Sequence, residues 1–330
     1  MPQSTSGNAS IDFLLLGEAV VDLISTAIVA TLEDANSFQR FPGGEVSNLA
    51  MNLSYLGFRC GLGVCVGDDG FGHYLKHKYA AAGVQMDLVQ TTSHAPTTMI
   101  PITRHTKSPD FIVYRGADKH LRMTPQLKKA VRECSAIHTS AFSLSHDPAR
   151  NTIMECLELA REEDKLVSLD PNYHPRIWPD RPNFISYLKD VFPLVTVTKP
   201  SLDDSARIFG KGYSPDEYLE RFLALGAEWV ALTMGREGVL LGTAGGDRYR
   251  LQAQPLSVVD VTGAGDAFWS GLLAGIRRGL SPLQSAQLGQ TIAEHKINTV
   301  GPVDAFPALD VFIDRSQNVE YSLRKNPSKA

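Results

Sequence analysis

Short apolar runs alternate along this chain with longer stretches whose apolar residues recur at helical spacing, and that alternation restricts the fold more than any other feature. A strand covered on both faces needs a near-continuous apolar run, whereas a helix lying on a sheet needs only an apolar stripe. Phe13-Leu14-Leu15-Leu16-Gly17 reads as a first buried strand. Val46, Leu49, Ala50, Leu53 and Leu56 then recur at helical spacing, with Gly57 placed to cap that helix. Residues 60–66, 136–139, 166–169, 194–198, 229–233 and 239–241 read as further strands, and 149–163 and 216–225 as helices between them. Repeated strand–helix units of this kind predict an α/β domain.

Two stretches break the rhythm. Residues 19–40 and 97–121 carry alternating segments without a convincing helix, such as Phe111-Ile112-Val113-Tyr114-Arg115, whose side chains point in turn to opposite faces if it is a strand. Both are expected to feed a small accessory sheet projecting from the main domain. The expected domain spans 11–315, with 1–10 and the polar, basic 316–330 as disordered tails.

A net charge of −4 leaves no electrostatic footprint for nucleic acid or an anionic membrane. The apolar run 11–24 is interrupted by Asp12, Glu18 and Asp22, so it is neither a signal peptide nor a membrane span. Cys60, Cys65, Cys134 and Cys156 lack metal-ligand spacing and read as buried reduced thiols, which suits a cytoplasmic protein.

The chemistry concentrates in Thr262-Gly263-Ala264-Gly265-Asp266. A strand-like segment, 256–261, enters this run, and a helix with Phe268, Leu272 and Ile276 on one stripe leaves it. A strand turning through small residues into a helix presents several unpaired N–H groups at the positive end of the helix dipole, which favours an anion. Asp266 in the first helical turn would repel a phosphate as a ligand, but suits a general base that deprotonates an attacking hydroxyl. Neither a Walker motif nor a Gly-x-Gly-x-x-Gly dinucleotide fingerprint is present.

The longer string Asp260-Val261-Thr262-Gly263-Ala264-Gly265-Asp266-Ala267-Phe268, followed by Ser270-Gly271, closely resembles the C-terminal signature of the ribokinase-like (PfkB-type) carbohydrate kinases. Gly43-Gly44-Glu45-Val46-Ser47-Asn48-Leu49-Ala50 resembles their N-terminal signature, with Glu45 where most members carry a small residue. The resemblance runs from about 13 to 307 and is nearest in motifs to fructokinases and 2-keto-3-deoxygluconate kinases. It implies a doubly wound, mostly parallel sheet flanked by helices, with a small β lid drawn from about 19–41 and 97–121. It also implies ATP and Mg²⁺, with Asp266 as base and the N–H groups of Gly263, Ala264 and Gly265 as the anion hole.

By the same resemblance, Asp22, Gly43, Gly44 and Asn48 bind sugar hydroxyls. Tyr114-Arg115-Gly116-Ala117-Asp118 matches a lid segment, leaving Arg115 either as a substrate contact or as a solvated arginine. Asp170-Pro171-Asn172-Tyr173-His174-Pro175-Arg176 resembles a segment usually written Asp-x-Asn-Tyr-Arg, which makes Asn172 and Arg176 substrate candidates. His174 stands where the arginine that holds an acid sugar's carboxylate is expected, and this favours a neutral hexose such as fructose.

Lys199-Pro200-Ser201-Leu202-Asp203-Asp204 corresponds to the Asn-x-x-Glu element, with Ser201 for Asn and Asp204 for Glu. It makes Lys199 and Ser201 ATP contacts and Asp204 a water-mediated Mg²⁺ contact. Thr233, Gly235 and Gly238 fall on the nucleotide-side loop and Asn298 on the adenine side, while Asp260 and Thr262 match a monovalent-cation site that would take K⁺. A homodimer through the lid is expected by analogy. Open alternatives are an acid-sugar kinase, a nucleoside kinase, and a catalytically weak paralogue that binds sugar or nucleotide.

Overall fold

The computed structural model describes residues 10–104, 109–254, 263–298 and 305–324. Strand β1 (Ile11–Gly17) leads into β2 (Val20–Ile28) and β3 (Phe38–Gly43), and helix α1 (Glu45–Tyr55) returns the chain to β4 (Cys60–Gly67). Helix α2 (Gly70–Ala81) precedes β5 (Gln90–Thr92) and β6 (Thr98–Arg104). Next come α3 (Pro125–Glu133), β7 (Cys134–Ser140), α4 (Ala149–Glu162) and β8 (Leu166–Asp170). Helix α5 (Arg181–Val191), β9 (Val197–Thr198), α6 (Leu202–Phe209) and α7 (Pro215–Leu225) lead to β10 (Trp229–Thr233), β11 (Val239–Thr243) and β12 (Arg248–Leu251). The chain closes with α8 (Ala264–Arg277), α9 (Pro282–Ile297), α10 (Leu309–Ser316) and β13 (Tyr321–Leu323).

Ten strands form one sheet in the order β13-β12-β11-β10-β9-β8-β7-β1-β4-β5. The pairs from β5 across to β10 are parallel, and β10 to β13 are antiparallel. Because strand side chains alternate, β1 supplies both cores: Leu14 and Leu16 pack with α3, α4, α5 and α7, while Phe13 and Leu15 pack with α1, α2, α8 and α9. The sheet is therefore doubly covered, as a parallel sheet must be. The small sheet has the order β3-β2-β6 and forms the lid.

Three expectations need correction. Residues 111–115 make only isolated bridges, Ile102 with Phe111 and Met99 with Tyr114. Ile112 N–H donates to Pro101 O at 3.1 Å, but Pro101 has no N–H to return, so the ladder is interrupted between its bridges. Of 194–198 only Val197–Thr198 is strand, because Pro193 holds Phe192–Leu194 in a single tight turn. Tyr321–Leu323, expected within a disordered tail, pairs antiparallel with β12. The strand-like segment 256–261 lies outside the described residues.

Candidate active site

The polar residues of the site sit at or just beyond the C-terminal ends of the parallel strands: Glu18 after β1, Asp170 ending β8, Lys199 after β9 and Thr233 ending β10. Side chains at these ends converge on the crevice where the strand order reverses. Helices α1 and α8 complete the crevice from one face of the sheet.

Helix α8 starts from Gly263, whose φ of +75° is in the left-handed region that glycine adopts without strain. Asp266 then falls in the first turn, as expected. Asn48, one turn into α1, donates from Nδ2 to Asp266 Oδ2 at 3.0 Å across 218 residues of chain. The two motifs therefore meet through Asn48 and Asp266. Asp22 on β2 faces Gly43 on β3 so closely that a Cβ on Gly43 would stand 2.2 Å from Asp22 Oδ2. The glycine is what lets the carboxylate lie against the backbone.

Charge is crowded here. Burial raises Asp22 to about 7, helped by the negative charges of Asp266 and Glu18. Burial also raises Asp266 to about 6, with Asn48 and Lys199 holding it down and Asp170 and Glu18 pushing it up. A buried carboxyl in that range is a competent base near neutral pH.

Lys199 is buried and pairs with Asp170 at 3.1 Å, and Trp269 Nε1 donates to the same Asp170 oxygen at 2.9 Å. Burial works against the Lys199 ammonium, but Asp170 and Asp204 outweigh it and its pKa rises. Nζ lies 3.6 Å from where a Cβ on Gly265 would stand, so the ammonium faces the small-residue turn. Lys199 thus brings an ammonium to the N-terminal turn of α8 at Gly263, Ala264 and Gly265, an arrangement whose chemistry suits an anion.

Ser201 and Asp204 form a capping box at the start of α6. Ser201 Oγ–H donates to Asp204 Oδ2 at 2.6 Å and the Asp204 N–H donates back to Ser201 Oγ at 3.0 Å. The other carboxylate oxygen, Oδ1, faces Arg207 at 3.5 Å. Ser201 bridges Thr233, whose N–H donates to Pro200 O at 2.9 Å, so these two candidates are neighbours. Gly235 and Gly238 flank the single turn between β10 and β11, and Asn298 closes α9 with Nδ2 donating to Glu294 O at 2.8 Å. Asp260 and Thr262 lie outside the described residues.

The lid-side candidates are committed to protein partners. Arg115 pairs with Asp118 at 2.6 Å, donates to Ser145 Oγ at 2.7 Å and lies over the Phe142 ring, with only 11% of its side chain exposed. This is not the solvated arginine. Arg176 pairs with Asp110 at 2.9 Å, donates to Phe111 O and covers the Phe111 ring. His174 packs against Phe111 with centroids 4.6 Å apart and ring planes tilted by 59°, and burial lowers its pKa to about 4. Asn172 donates its N–H to Asp170 Oδ1 at 3.1 Å and turns the chain out of β8 with φ +24°.

Sequence reasoning noted Glu45 only as a departure from the signature and passed over its buried partner, His138. Glu45, at the first position of α1, has both carboxylate oxygens 3.0 Å from His138 Nε2, and His138 Nδ1 lies 2.7 Å from Ser168 Oγ. Burial lowers His138 to about 3, so the ring is neutral and one proton is shared with Glu45, whose own pKa burial raises. The available signal was a histidine inside the apolar run 136–139. The four cysteines are free and buried, and among the described residues no helix is long and apolar enough to cross a membrane.

Comparison with known proteins agrees with this geometry. The family model described as pfkB family carbohydrate kinase matches residues 11–309. The ATP-dependent 6-phosphofructokinase of Thermoanaerobacterium thermosaccharolyticum is 35% identical, covering 91% of this chain and 92% of that protein. The fructokinase of Halothermothrix orenii superposes with a TM-score of 0.76 at 32% identity, covering 89% of this chain and 100% of that one. A ribokinase II of E. coli, solved in complex with ATP and Mg²⁺, shares the fold with a TM-score of 0.79 at 22% identity, covering 92% and 99%.

Proposed function

The chain belongs to the pfkB family of carbohydrate kinases, ATP-dependent phosphotransferases, and from that premise we propose that it phosphorylates a neutral ketohexose, with fructose the best match. The observation that carries the reading is the Asn48–Asp266 hydrogen bond, which sets a base of pKa about 6 beside Asp22 and the Gly43-Gly44 turn. Asp22, Asn48 and the backbone at Gly43 and Gly44 orient the hydroxyls. Asp266 takes the proton of a primary hydroxyl as its oxygen attacks the γ-phosphorus in line. The N–H groups of Gly263, Ala264 and Gly265, with Lys199 beside them, stabilise the charge that develops.

Ser201, Thr233, Gly235, Gly238 and Asn298 form the nucleotide side. Asp204 keeps Oδ1 outside its capping box, which fits a carboxylate that holds Mg²⁺ through water. The ion, when bound, neutralises charge on the β and γ oxygens. Asp260 and Thr262 are the candidates for K⁺. Exposed Ile28, Phe38, Ile112 and Tyr114 on and beside the lid sheet support pairing of two chains through it. Four buried free thiols and the use of ATP suit a cytoplasmic setting.

A phosphorylated hexose is the second reading, favoured by the likeness to a 6-phosphofructokinase. The neutral acceptor is preferred because Asp22, Glu18, Glu45 and Asp266 crowd the site and both lid-side arginines already have acid partners. The test is ADP release across fructose, other hexoses, fructose 6-phosphate, keto-acid sugars and nucleosides. Fructose is expected to lead, and the Asp266→Asn variant to lose turnover. A phosphorylated or acidic sugar in first place would overturn the neutral-acceptor reading, and ligand binding without any turnover would overturn the enzyme.

A further inference from the structure

We propose that Glu18 is a positioning residue that sets the acceptor cradle, an inference that rests on reading Gly43-Gly44 and Asn48 as that cradle. Helix α1 begins after Gly44, which offers no side-chain cap, so its first N–H groups need acceptors from elsewhere. Glu18 supplies one. Its Oε1 accepts the Val46 N–H at 3.3 Å, reaching across 28 residues. Its Oε2 accepts Ser140 Oγ–H at 2.7 Å and Ser143 Oγ–H, tying in the end of β7.

The main chain of Glu18 grips the same helix. Its carbonyl accepts Ser47 Oγ–H at 2.8 Å and lies 2.9 Å from where a Cβ on Gly44 would stand. Tyr79 on α2 donates its hydroxyl to Ser47 Oγ at 3.1 Å and backs this contact. One residue therefore fixes the end of β1, the start of α1 and the exit of β7 against each other. Gly43, Gly44 and Asn48 all hang from that junction. With only 2% exposure, Glu18 is covered by its own protein partners, so it acts through the cradle.

The hydrogen-bond pattern makes a specific demand. All three groups facing the carboxyl donate, and a glutamine can meet it: its carbonyl accepts the Val46 N–H, and the two serine hydroxyls rotate to accept from its amide. An alanine can satisfy none of them. Glu18→Ala should therefore raise the acceptor KM by roughly tenfold or more, since small misplacements of an orienting group are expensive in rate. The KM for ATP should stay within about twofold, because the nucleotide side hangs from other strand ends. Glu18→Gln should restore the acceptor KM to within about threefold.

The experiment measures both KM values for the unmodified protein, Glu18→Ala, Glu18→Gln and Ser143→Ala, using the best acceptor of the sugar panel. Ser143→Ala removes one donor, keeps the protein foldable if Glu18→Ala does not fold, and should raise the acceptor KM alone by about threefold. An acceptor KM unmoved in Glu18→Ala, or in Ser143→Ala where the former does not fold, overturns the proposal, as does a parallel rise in both KM values. Absence of any acceptor for the unmodified protein overturns the cradle reading instead, so the two failures are told apart.

Discussion

Asp22, Asn48 and Asp266 on the proposed acceptor side are half-buried, with Asn48 and Asp266 joined by a hydrogen bond, whereas Gly235 and Asn298 on the proposed nucleotide side stand at a turn and a helix end, open to water. The proposed acceptor side is built from half-buried carboxyls, Asp266 among them with a partner 218 residues away. The nucleotide side is built from local devices, a capping box at Ser201–Asp204 and a single glycine-flanked turn. Local devices tolerate substitution because their neighbours move with them. A carboxyl held by groups hundreds of residues away has no such freedom. Mutational sensitivity should therefore be lopsided, and each prediction below probes that asymmetry.

The largest effect is expected at Asp266. Asp266→Asn should lower kcat roughly a hundredfold or more, the contribution of a positioned general base. The same variant should be more stable at pH 8. A carboxyl raised from 3.8 to about 6 holds its proton more tightly in the folded than the unfolded protein, so it costs stability as pH rises through that window. Thermal unfolding across pH should show a gain of about 1 kcal/mol for the variant above pH 7, discounted for partial exposure, and none below pH 4. Loss of stability at pH 8 would mean that the Asp266 carboxyl is not strained by burial.

Next is Gly43→Ala, whose methyl would collide with Asp22. Overpacking of about 1–3 kcal/mol predicts a rise in acceptor KM of roughly tenfold or more, with the KM for ATP unchanged. Steady-state kinetics with each substrate varied in turn checks it. Asp204→Ala, on the opposite side, removes a cap worth about 1 kcal/mol. It should raise the KM for Mg·ATP several-fold and leave the acceptor KM alone. A larger effect than that of Gly43→Ala would invert the comparison. Arg176→Ala breaks a half-exposed pair with Asp110, worth about 0.2–1 kcal/mol, and should change the acceptor KM by less than about fivefold.

The same contrast explains what could be read from the sequence. Strands β1, β4, β7, β8, β10 and β11 announced themselves as apolar runs because both of their faces are covered. β5 and β13 did not, since Gln90–Thr92 and Tyr321–Leu323 lie at the sheet's edges, where no apolar run is required. At the candidate site, Asn48 and Asp266 stood out because each sits in a short motif, and Asp22 because it resembles a family position; the fold brings Asn48 and Asp266 together. Glu18, Glu45 and His138 were not, because their roles come from partners 28 to 125 residues away, which only the fold brings within reach. The ion pairs of Arg115 with Asp118 and of Arg176 with Asp110 likewise emerge only in the fold.

The pH dependence of kcat/KM for the acceptor tests the central claim, that Asp266 is the base of the phosphoryl transfer. Its pKa of about 6 predicts a plateau above pH 7 and a fall of about tenfold per pH unit once pH drops below 6. In Asp266→Asn the residual rate should lose that limb. A limb that persists unchanged in the variant would contradict the account.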